Sequence, residues 1–242
     1  MTMRTIALAV GLFLVGPIYA QEETAAGGET GPWSGKLVLG YLATDGNTES
    51  SSLNTGFEIA YATGNWLHGL DGRAIHSTQD SDTIAEAYEL GWKTEYDFSA
   101  TSFAFGRVDW RKDRFSGYDQ QVSQTAGYGR RLIDTAAHVL NAEIGAGARQ
   151  LDVADGTSED EVIVRGGLDY TWAFSETAQF TQDLVVESGD TNTYLESVTA
   201  IKATLIGDLA LVASYTIKNN SEVPAGTEET DTYSALSLEY AF

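Results

Sequence analysis

Apolar and polar side chains alternate along most of the chain. In one such stretch, Tyr88, Leu90 and Trp92 lie on one parity while Glu89 and Lys93 lie on the other. Spacing with a period of two indicates β-strands that have one apolar face, and helical spacing is rare in this sequence. The pattern therefore predicts an all-β fold.

The alternation divides into twelve candidate strands. They run at about 33–44, 48–63, 66–78, 85–98, 102–114, 119–132, 138–150, 161–175, 177–188, 192–205, 209–219 and 231–242. Most exceed the five or six residues that are usual in soluble sheets. Their lengths suit the roughly 9–11 residues with which a tilted strand crosses a bilayer.

The predicted connections differ between the two ends of the strands. Those that follow even-numbered strands are short, such as ATGNW and FSATS. Those that follow most odd-numbered strands are longer or more polar, such as STQDSDTIAE at 77–86 and LDVADGTSEDE at 151–161. Short turns at one end and long loops at the other are typical of bacterial outer-membrane barrels.

These features predict a single transmembrane antiparallel β-barrel of about 12 strands over residues 32–242, with short periplasmic turns and longer extracellular loops. A sheet can cross a membrane only when it closes, because every backbone N–H and C=O group must be paired in lipid. A soluble β-sandwich packs similar alternating strands. It does not explain the strand lengths or the unequal connections.

The chain ends LSLEYAF and keeps the alternation to its last residue. Leu236, Leu238, Tyr240 and Phe242 share one parity, which predicts that the last strand closes the barrel against the first and turns these side chains to lipid. A final strand that ends in Phe also resembles the assembly signal of outer-membrane barrels, so the barrel-assembly machinery is an expected partner. Aromatic residues near the short turns predict an interfacial girdle; they are Trp33, Tyr61, Trp66, Tyr96, Phe98, Trp172, Phe174, Tyr240 and Phe242.

The N-terminus predicts the compartment. Residues 1–20 carry one Arg, an apolar run and a terminal small residue, which indicates a secretory signal peptide. Residues 21–31 are small and acidic and predict a flexible leader. Export followed by insertion predicts the bacterial outer membrane as the location, with its lipid and lipopolysaccharide as partners.

Charge and composition exclude several functions. The formal net charge of -21 argues against nucleic acid as a partner. The sequence has no Gly-rich phosphate loop that would hold a nucleotide. The chain has no Cys, so disulfides, thiol chemistry and cysteine metal sites are excluded.

Several stretches resemble one family, DUF481, whose members are often labelled salt-induced outer-membrane proteins. The matching stretches are GNTESSSLN (46–54), EYDFSATSFAFGRVDWRKDRFSGYDQ (95–120), GYGRRLIDT (127–135), LDYTWAFSETAQFTQDL (168–184) and SEVPAGTEETDTYSALSLEYAF (221–242). The resemblance implies an outer-membrane barrel with a link to salt or osmotic stress. It supplies no substrate and no catalytic residues.

Enzymatic residues are sparse. His76 precedes Asp80 and Asp82, and a His–Asp pair could activate water in an outer-membrane hydrolase. An interfacial histidine beside a solvated acidic loop explains the same residues. We expect His68 and His138, which lie near short turns, among the lipid headgroups. The sequence therefore predicts no catalytic set.

The acidic stretch 152–161 is a candidate for cation binding, because carboxylate oxygens are the ligands that hard cations prefer. Its spacing does not match a Ca²⁺-binding loop, so we expect a solvated loop, no metal site and no cofactor. Contact with divalent ions at the lipopolysaccharide surface stays open. The acidic residues are Asp152, Asp155, Glu159, Asp160 and Glu161.

Charges of both signs fall on the inward parity of the predicted strands. Twelve strands lie between the eight whose side chains fill a barrel and the sixteen to eighteen that leave a water channel. The densest group is Arg107, Asp109, Arg111 and Asp113. It favours a structural ladder over a selective constriction. The lumen candidates are Glu58, Arg73, Glu89, Lys93, Glu95, Arg107, Asp109, Arg111, Glu143, Arg149, Arg165, Asp169 and Asp183, and Lys36, Asp71, Glu196 and Lys202 share their parity.

Three functional hypotheses follow. The first is a narrow channel or passive pore for small polar solutes or ions. The second is a structural envelope barrel whose lumen is plugged by its own charges and does not conduct. The third is an outer-membrane hydrolase, which we consider the weakest because no nucleophile and base are fixed by spacing. We therefore predict a protein that is not an enzyme.

Overall fold

The computed structural model describes residues 31–44, 50–80, 82–114, 116, 118–153, 156–223 and 227–242. The predicted signal peptide (1–20) and, apart from Gly31, the predicted leader (21–31) lie outside these residues. The described chain forms one closed barrel of twelve antiparallel strands, in which sequence neighbours pair and β1 pairs with β12. This confirms the predicted fold class. The strands are β1 Trp33–Thr44, β2 Ser50–Thr63, β3 Trp66–Gln79, β4 Asp82–Ser99, β5 Ser102–Asp113, β6 Tyr118–Asp134, β7 His138–Val153, β8 Ser158–Ser175, β9 Ala178–Ser188, β10 Thr193–Ile206, β11 Leu209–Asn220 and β12 Thr230–Ala241.

Tight connections lie at one end of the barrel, which we call the turn end. Strand ends pair directly across them, as Thr63 does with Trp66 and Ile206 with Leu209. Gly64 and Gly207, within these two turns, have φ of 57° and 52°. Glycine adopts this left-handed backbone without strain, which is why it suits two-residue hairpin turns.

The opposite end, which we call the loop end, carries the longer connections. The stretch 77–86 is nevertheless not a loop, because β3 continues to Gln79 and β4 begins at Asp82. Most of 151–161 likewise belongs to β7 and β8. The prediction of loops over these two stretches was wrong. Their polar composition marks strands that extend beyond the apolar belt, where a barrel wall meets water.

The last residues close the ring. β1 and β12 pair from Lys36↔Ala241 to Leu39↔Leu238. Gly35 N–H donates to the Phe242 carbonyl at 2.8 Å, and Phe242 N–H donates to the Gly35 carbonyl at 2.9 Å. The alternation up to Phe242 therefore extends β12 far enough to pair with β1. This pairing closes the barrel, because a sheet with two free edges is not tolerated in lipid. The role of this segment as an assembly signal stays a prediction, which the surface levels of a chain lacking Phe242 would test.

The outer wall of the barrel is apolar. The side chains of Leu236, Leu238, Tyr240 and Phe242 are 46–62 % exposed, on the face that the parity predicted. The apolar parities of β4 and β8 also point outward. An apolar surface this extensive is rare on soluble monomers. Together with the closed backbone pairing, it indicates that the barrel spans a membrane through its strands. The described residues contain no helix that is long and apolar enough to span a membrane.

An aromatic girdle surrounds the turn end. The ring centroids of Trp33 and Tyr61 lie 4.6 Å apart. The rings of His68 and Trp66 stack at 5.9 Å, and those of His138 and Trp172 at 6.0 Å. Rings of this kind lie at the level of lipid headgroups. The two histidines are therefore part of the girdle, as the sequence predicted.

Two phenylalanines of β5 fill the lumen near the turn end. Phe103 is fully buried and Phe105 nearly so. A Cβ atom at Gly129 of β6 would lie 2.1 Å from the Phe103 ring, and one at Gly145 of β7 would lie 3.0 Å from the Phe105 ring. Both rings therefore occupy space that the absent side chains of β6 and β7 leave open. The sequence pattern did not assign a face to either phenylalanine.

Candidate functional site

The lumen is the candidate site, and it is charged. All thirteen predicted lumen residues lie on the inner wall, where they are buried or half-buried. Several of their ion pairs join strands that do not pair in the sheet, such as Arg73 of β3 with Glu196 of β10 at 2.8 Å. Such a contact can only cross the interior of the ring. The charged side chains therefore form a lattice through the lumen instead of a lining along its wall.

Glu187 of β9 is the centre of this lattice. Its carboxylate lies 2.5 Å from Arg165, 3.3 Å from Arg111 and 3.8 Å from Arg149, and its side chain has no exposed surface. Arg111 also stacks over the ring of Tyr194 at 4.5 Å. One carboxylate thus joins guanidinium groups from β5, β7 and β8. Charge-assisted contacts of this kind are strong when they are shielded from water.

Arg149 ties the lattice to the loop end. It donates to Glu161 of β8 at 2.5 Å and to the backbone carbonyl of Asn192 at 2.5 Å. Glu161 in turn accepts from the backbone and hydroxyl of Thr191 at 3.0 and 2.8 Å. Asn192 donates to Asn220 at 2.8 Å. The β9–β10 connection is therefore anchored to β7, β8 and β11 by buried polar groups.

Glu161 corrects one prediction. We expected it in a solvated acidic loop, but it lies in β8 and points inward. The reason is that its parity matches that of Arg165 and Asp169 on the same strand. Asp155 lies outside the described residues. Within the described ranges, no group of three or more His, Cys, Asp or Glu residues is arranged to hold a metal ion.

The second branch of the lattice crosses from β3 and β4 to β10 and β11. Arg73 pairs with both Glu89 and Glu196, and Lys218 pairs with Glu89 at 2.5 Å. Tyr194 donates its hydroxyl to Glu196 at 2.5 Å. The branch contains two cations and two carboxylates, so it is formally neutral.

The dense group on β5 is only partly a ladder. Arg107 pairs with Asp109 at 2.6 Å on its own strand and with Asp71 of β3 at 3.5 Å. Arg111 instead reaches across to Glu187. Parity predicted that these residues share a face, but it could not predict which of them bond to each other, because partners across a barrel depend on strand tilt and stagger.

Closer to the turn end the charge balance changes. Lys36 pairs with Glu58 at 2.7 Å, and Lys93 pairs with both Glu95 and Glu143. Lys93 also lies 5.6 and 5.5 Å from the ring centroids of Phe103 and Phe105. These two phenylalanines are therefore the apolar neighbours of the turn-end charges.

Asp169 of β8 and Asp183 of β9 are direct partners in the strand register. Their carboxyl groups lie within hydrogen-bonding reach of each other. Two ionised carboxylates repel each other at this distance, so a pair of this kind is stable when the two groups share a proton or when a cation lies beside them.

An internal cavity of about 120 Å³ lies between the lattice and these carboxylates. Its walls come from eight strands and include charged side chains of both signs. A water needs about 10–15 Å³ when the volume is measured in this way. The cavity therefore has room for several waters or for a small hydrated ion.

The list of lumen candidates left out some residues of the lattice. Glu187, Glu161, Lys218 and Glu239 lie on the inner wall, and Lys202 pairs with Glu239 at 3.1 Å. All four share the polar parity of their strands, although they were not named among the lumen candidates. Glu187 shares the parity of the lumen candidate Asp183 on β9, so the same count would have included it.

The candidate hydrolase residues do not form a site. His76 lies exposed on the outer wall, opposite Leu53 of β2 and Glu86 of β4. Asp80 lies in the following turn with φ of 49°.

The fold and lumen define the class of protein: a membrane-spanning β-barrel with an apolar wall and a lumen crossed by ion pairs. The chain belongs to the family described as "Protein of unknown function, DUF481", which matches residues 37–242. It is 31 % identical over 211 residues to "Uncharacterized protein YdiY" of Escherichia coli (strain K12), covering 87 % of this chain and 83 % of that protein.

Several solved barrels are similar to this one. The NanC porin superposes with a TM-score of 0.50 at 11 % identity, covering 86 % of this chain and 97 % of the porin. The translocator domain of the autotransporter NalP from Neisseria meningitidis gives 0.49 at 13 % identity, covering 87 % and 88 %. The KdgM porin gives 0.46 at 10 % identity, covering 86 % and 99 %. At 11 % identity the likeness to the NanC porin shows the fold and not what passes through it.

Proposed function

We propose that the protein is a channel of the bacterial outer membrane that passes water and small ions and excludes sugar-sized solutes. The observation that carries this proposal is the charged cavity of about 120 Å³ inside the barrel. A hydrated, charged interior suits ions, because it replaces part of their water shell with fixed polar groups. The outer-membrane location follows from the predicted export signal and the apolar wall.

The lattice sets the width of the path. Arg73, Glu196 and Glu187 reach across the lumen and divide its cross-section. Solutes must pass between these side chains, so we expect ions and waters to pass and a sugar ring to be excluded. The channel is therefore narrower than its twelve strands would allow.

The second candidate is a non-conducting barrel whose lattice is a plug. The buried polar contacts of Arg149, Glu161 and Asn192 at the loop end favour it, because they tie the β9–β10 connection to side chains of the inner wall. A barrel of this kind would serve the envelope mechanically.

Single-channel recording in a planar bilayer separates the two candidates. We expect the mature wild-type protein to open in small discrete steps in KCl. A lattice-loosened variant, with Arg73, Glu89, Glu196 and Lys218 all replaced by Ser, should conduct more. This variant removes the neutral branch as a unit, so it leaves no charge of that branch unpaired. A wild type that never opens, beside a variant that does, would overturn the channel and support the plug.

A further inference from the structure

The ladder that closes the barrel is the shortest strand pairing in the described wall. β1 pairs with β2 along its whole length, and β12 pairs with β11 along nearly all of its own. The β1–β12 ladder, by contrast, ends at Leu39↔Leu238. Residues 40–44 of β1 and 230–237 of β12 therefore have a paired strand on one side only. We call these two facing segments the seam.

The backbone groups that point into the seam follow from the hydrogen bonds below it. Gly35 of β1 and Phe242 of β12 bond to each other through both their N–H and their C=O groups. Because paired residues of an antiparallel ladder alternate in this respect, the backbone groups of Tyr41 and Leu236 also point across the seam. In the described part of the chain no ladder pairing joins these two residues.

Unpaired backbone groups are tolerated at membrane depth only where protein covers them or water reaches them. The side chains of Tyr41 and Leu236 are 67 % and 62 % exposed, so no described part of the chain covers the seam from outside. Farther along the same outer face of β12, Ser234 and Thr232 are exposed polar residues within the wall. The seam therefore needs water, which the lumen supplies.

Small side chains form the inner side of the seam. Gly40 lies beside Ser237, since a Cβ atom at Gly40 would be 2.6 Å from the Ser237 Oγ atom. Ser237 is 4 % exposed, and its Oγ atom has no hydrogen-bond partner among the described residues. Ala235 is the next residue on the same face of β12. None of these three side chains is large enough to block the way from the lumen to the seam.

Apolar side chains line the inner wall on both sides of the seam, whereas most of the lumen is charged. The Lys202–Glu239 pair lies among them and is formally neutral. This strip is the part of the lumen that an apolar molecule can contact without burying a charge. Its residues are Val38 of β1, Val198 and Ala200 of β10, and Ala210 and Val212 of β11, each at most 7 % exposed.

One contact across the lumen holds β12 where its ladder with β1 is absent. Tyr233 of β12 packs against Ile75 of β3 and Ala87 of β4. β1 and β2 lie between these strands in the sheet, so the contact crosses the interior of the barrel. The loop-end half of β12 is therefore anchored by a side chain, which can move, and not by backbone pairing with β1.

We propose that the seam is a lateral gate, through which small apolar molecules pass between the lumen and the surrounding lipid. The wall can separate here with the fewest broken backbone hydrogen bonds, because the ladder already ends at Leu39↔Leu238. The proposal goes beyond the proposed ion channel and does not depend on it. Apolar molecules would follow the strip beside the seam and not the gaps between the ion pairs.

Amide hydrogen exchange tests whether the seam opens. The mature wild-type protein is placed in lipid nanodiscs, and exchange is read residue by residue by NMR. The N–H groups of Leu236 and Ser234 point into the seam, whereas those of Ala235 and Ser237 point to the complete β11 ladder. We expect the first two to exchange at least about 100-fold faster, because no hydrogen bond has to open. Equally slow exchange of all four would overturn the gate.

A disulfide across the seam tests what passes through it. In the double variant Gly40→Cys with Ser237→Cys the two Cβ atoms lie 3.5 Å apart, within the range of natural disulfides. The chain has no other Cys. The control is Ser52→Cys with Ser77→Cys, which bridges the complete β2–β3 ladder at a point where the two Oγ atoms are 2.7 Å apart.

The probe is N-phenyl-1-naphthylamine, an apolar dye that fluoresces once it enters a membrane. We expect the dye to enter cells with the wild type or the control disulfide several-fold faster than cells that lack the protein. The seam disulfide should abolish this gain, and a reductant should restore it. Tyr233→Ala, which removes the anchor of β12, should speed entry beyond the wild type and serves as a second test should the Cys pair not fold.

The outcomes separate the two parts of the proposal. A wild type that admits the dye no faster than cells without the protein would overturn the passage of apolar molecules, and the exchange experiment would still decide whether the seam opens. Equal gains with the seam disulfide and the control disulfide would show that the dye takes another path, which also overturns the gate as its route.

Discussion

Replacing Glu187 with Gln should lower the free energy of unfolding by about 3–5 kcal/mol. The substitution keeps the size of the side chain but removes the charge that faces Arg165, Arg111 and Arg149 at 2.5, 3.3 and 3.8 Å. Removing one partner of a buried ion pair lowers the free energy of unfolding far more than replacing the whole pair with apolar residues does, because it leaves a buried charge without a partner. Urea unfolding in detergent micelles, followed by the heat-dependent mobility of the barrel on a gel, measures the loss.

Two further variants make this prediction specific. Glu159→Gln changes the same residue type at an exposed position of β8, and its effect should stay within about 0.5 kcal/mol. Adding Arg165→Gln to Glu187→Gln removes one of the uncompensated cations, so the double variant should be more stable than the sum of the single effects predicts. A Glu187→Gln loss below about 1 kcal/mol would mean that water in the lumen screens the lattice, contrary to the burial described above.

Replacing Ile144 with Arg should lower the free energy of unfolding by about 2–4 kcal/mol. Ile144 lies on the outer wall of β7, 63 % exposed and well above the girdle ring of His138 on the same strand. A charge at this height faces the hydrocarbon core and cannot be hydrated without distorting the bilayer. The folding yield and unfolding free energy in liposomes measure this effect.

Val162→Arg is the matched control for Ile144→Arg. Val162 also points outward, from the adjacent strand β8, but lies near the loop end where a charge reaches the headgroups. Val162→Arg should therefore lower the free energy of unfolding by only about 0–1 kcal/mol. Equal effects at both positions would contradict the placement of the membrane around the barrel.

Parity alone predicted much of this fold. The outward faces of β4, β8 and β12 follow from a period of two, because successive side chains of a strand point to opposite faces of the sheet. Closure followed from the requirement that no edge is left unpaired in lipid. The loop predictions over 77–86 and 151–161 failed because polar composition marks contact with water, and a strand beyond the membrane meets water as a loop does.

The site was less predictable for a different reason. Parity placed Arg73 and Glu196 inside, but only the tilt and stagger of the closed barrel bring β3 and β10 to within an ion pair of each other. The juxtaposition of Asp169 and Asp183 needs the β8–β9 register, which is fixed by the turn between them. Glu187, the centre of the lattice, has no local signal that separates it from any other glutamate on an inward parity.

The size of the solutes that the barrel passes tests the central claim most directly. Liposomes that contain the mature protein are mixed with K⁺ salts, with glucose or with sucrose, and the rate at which each solute enters is measured against protein-free liposomes. The account predicts entry of K⁺ and exclusion of both sugars, because the lattice of Arg73, Glu196 and Glu187 divides the lumen. Rapid entry of sucrose, or no entry of K⁺ at all, would contradict it.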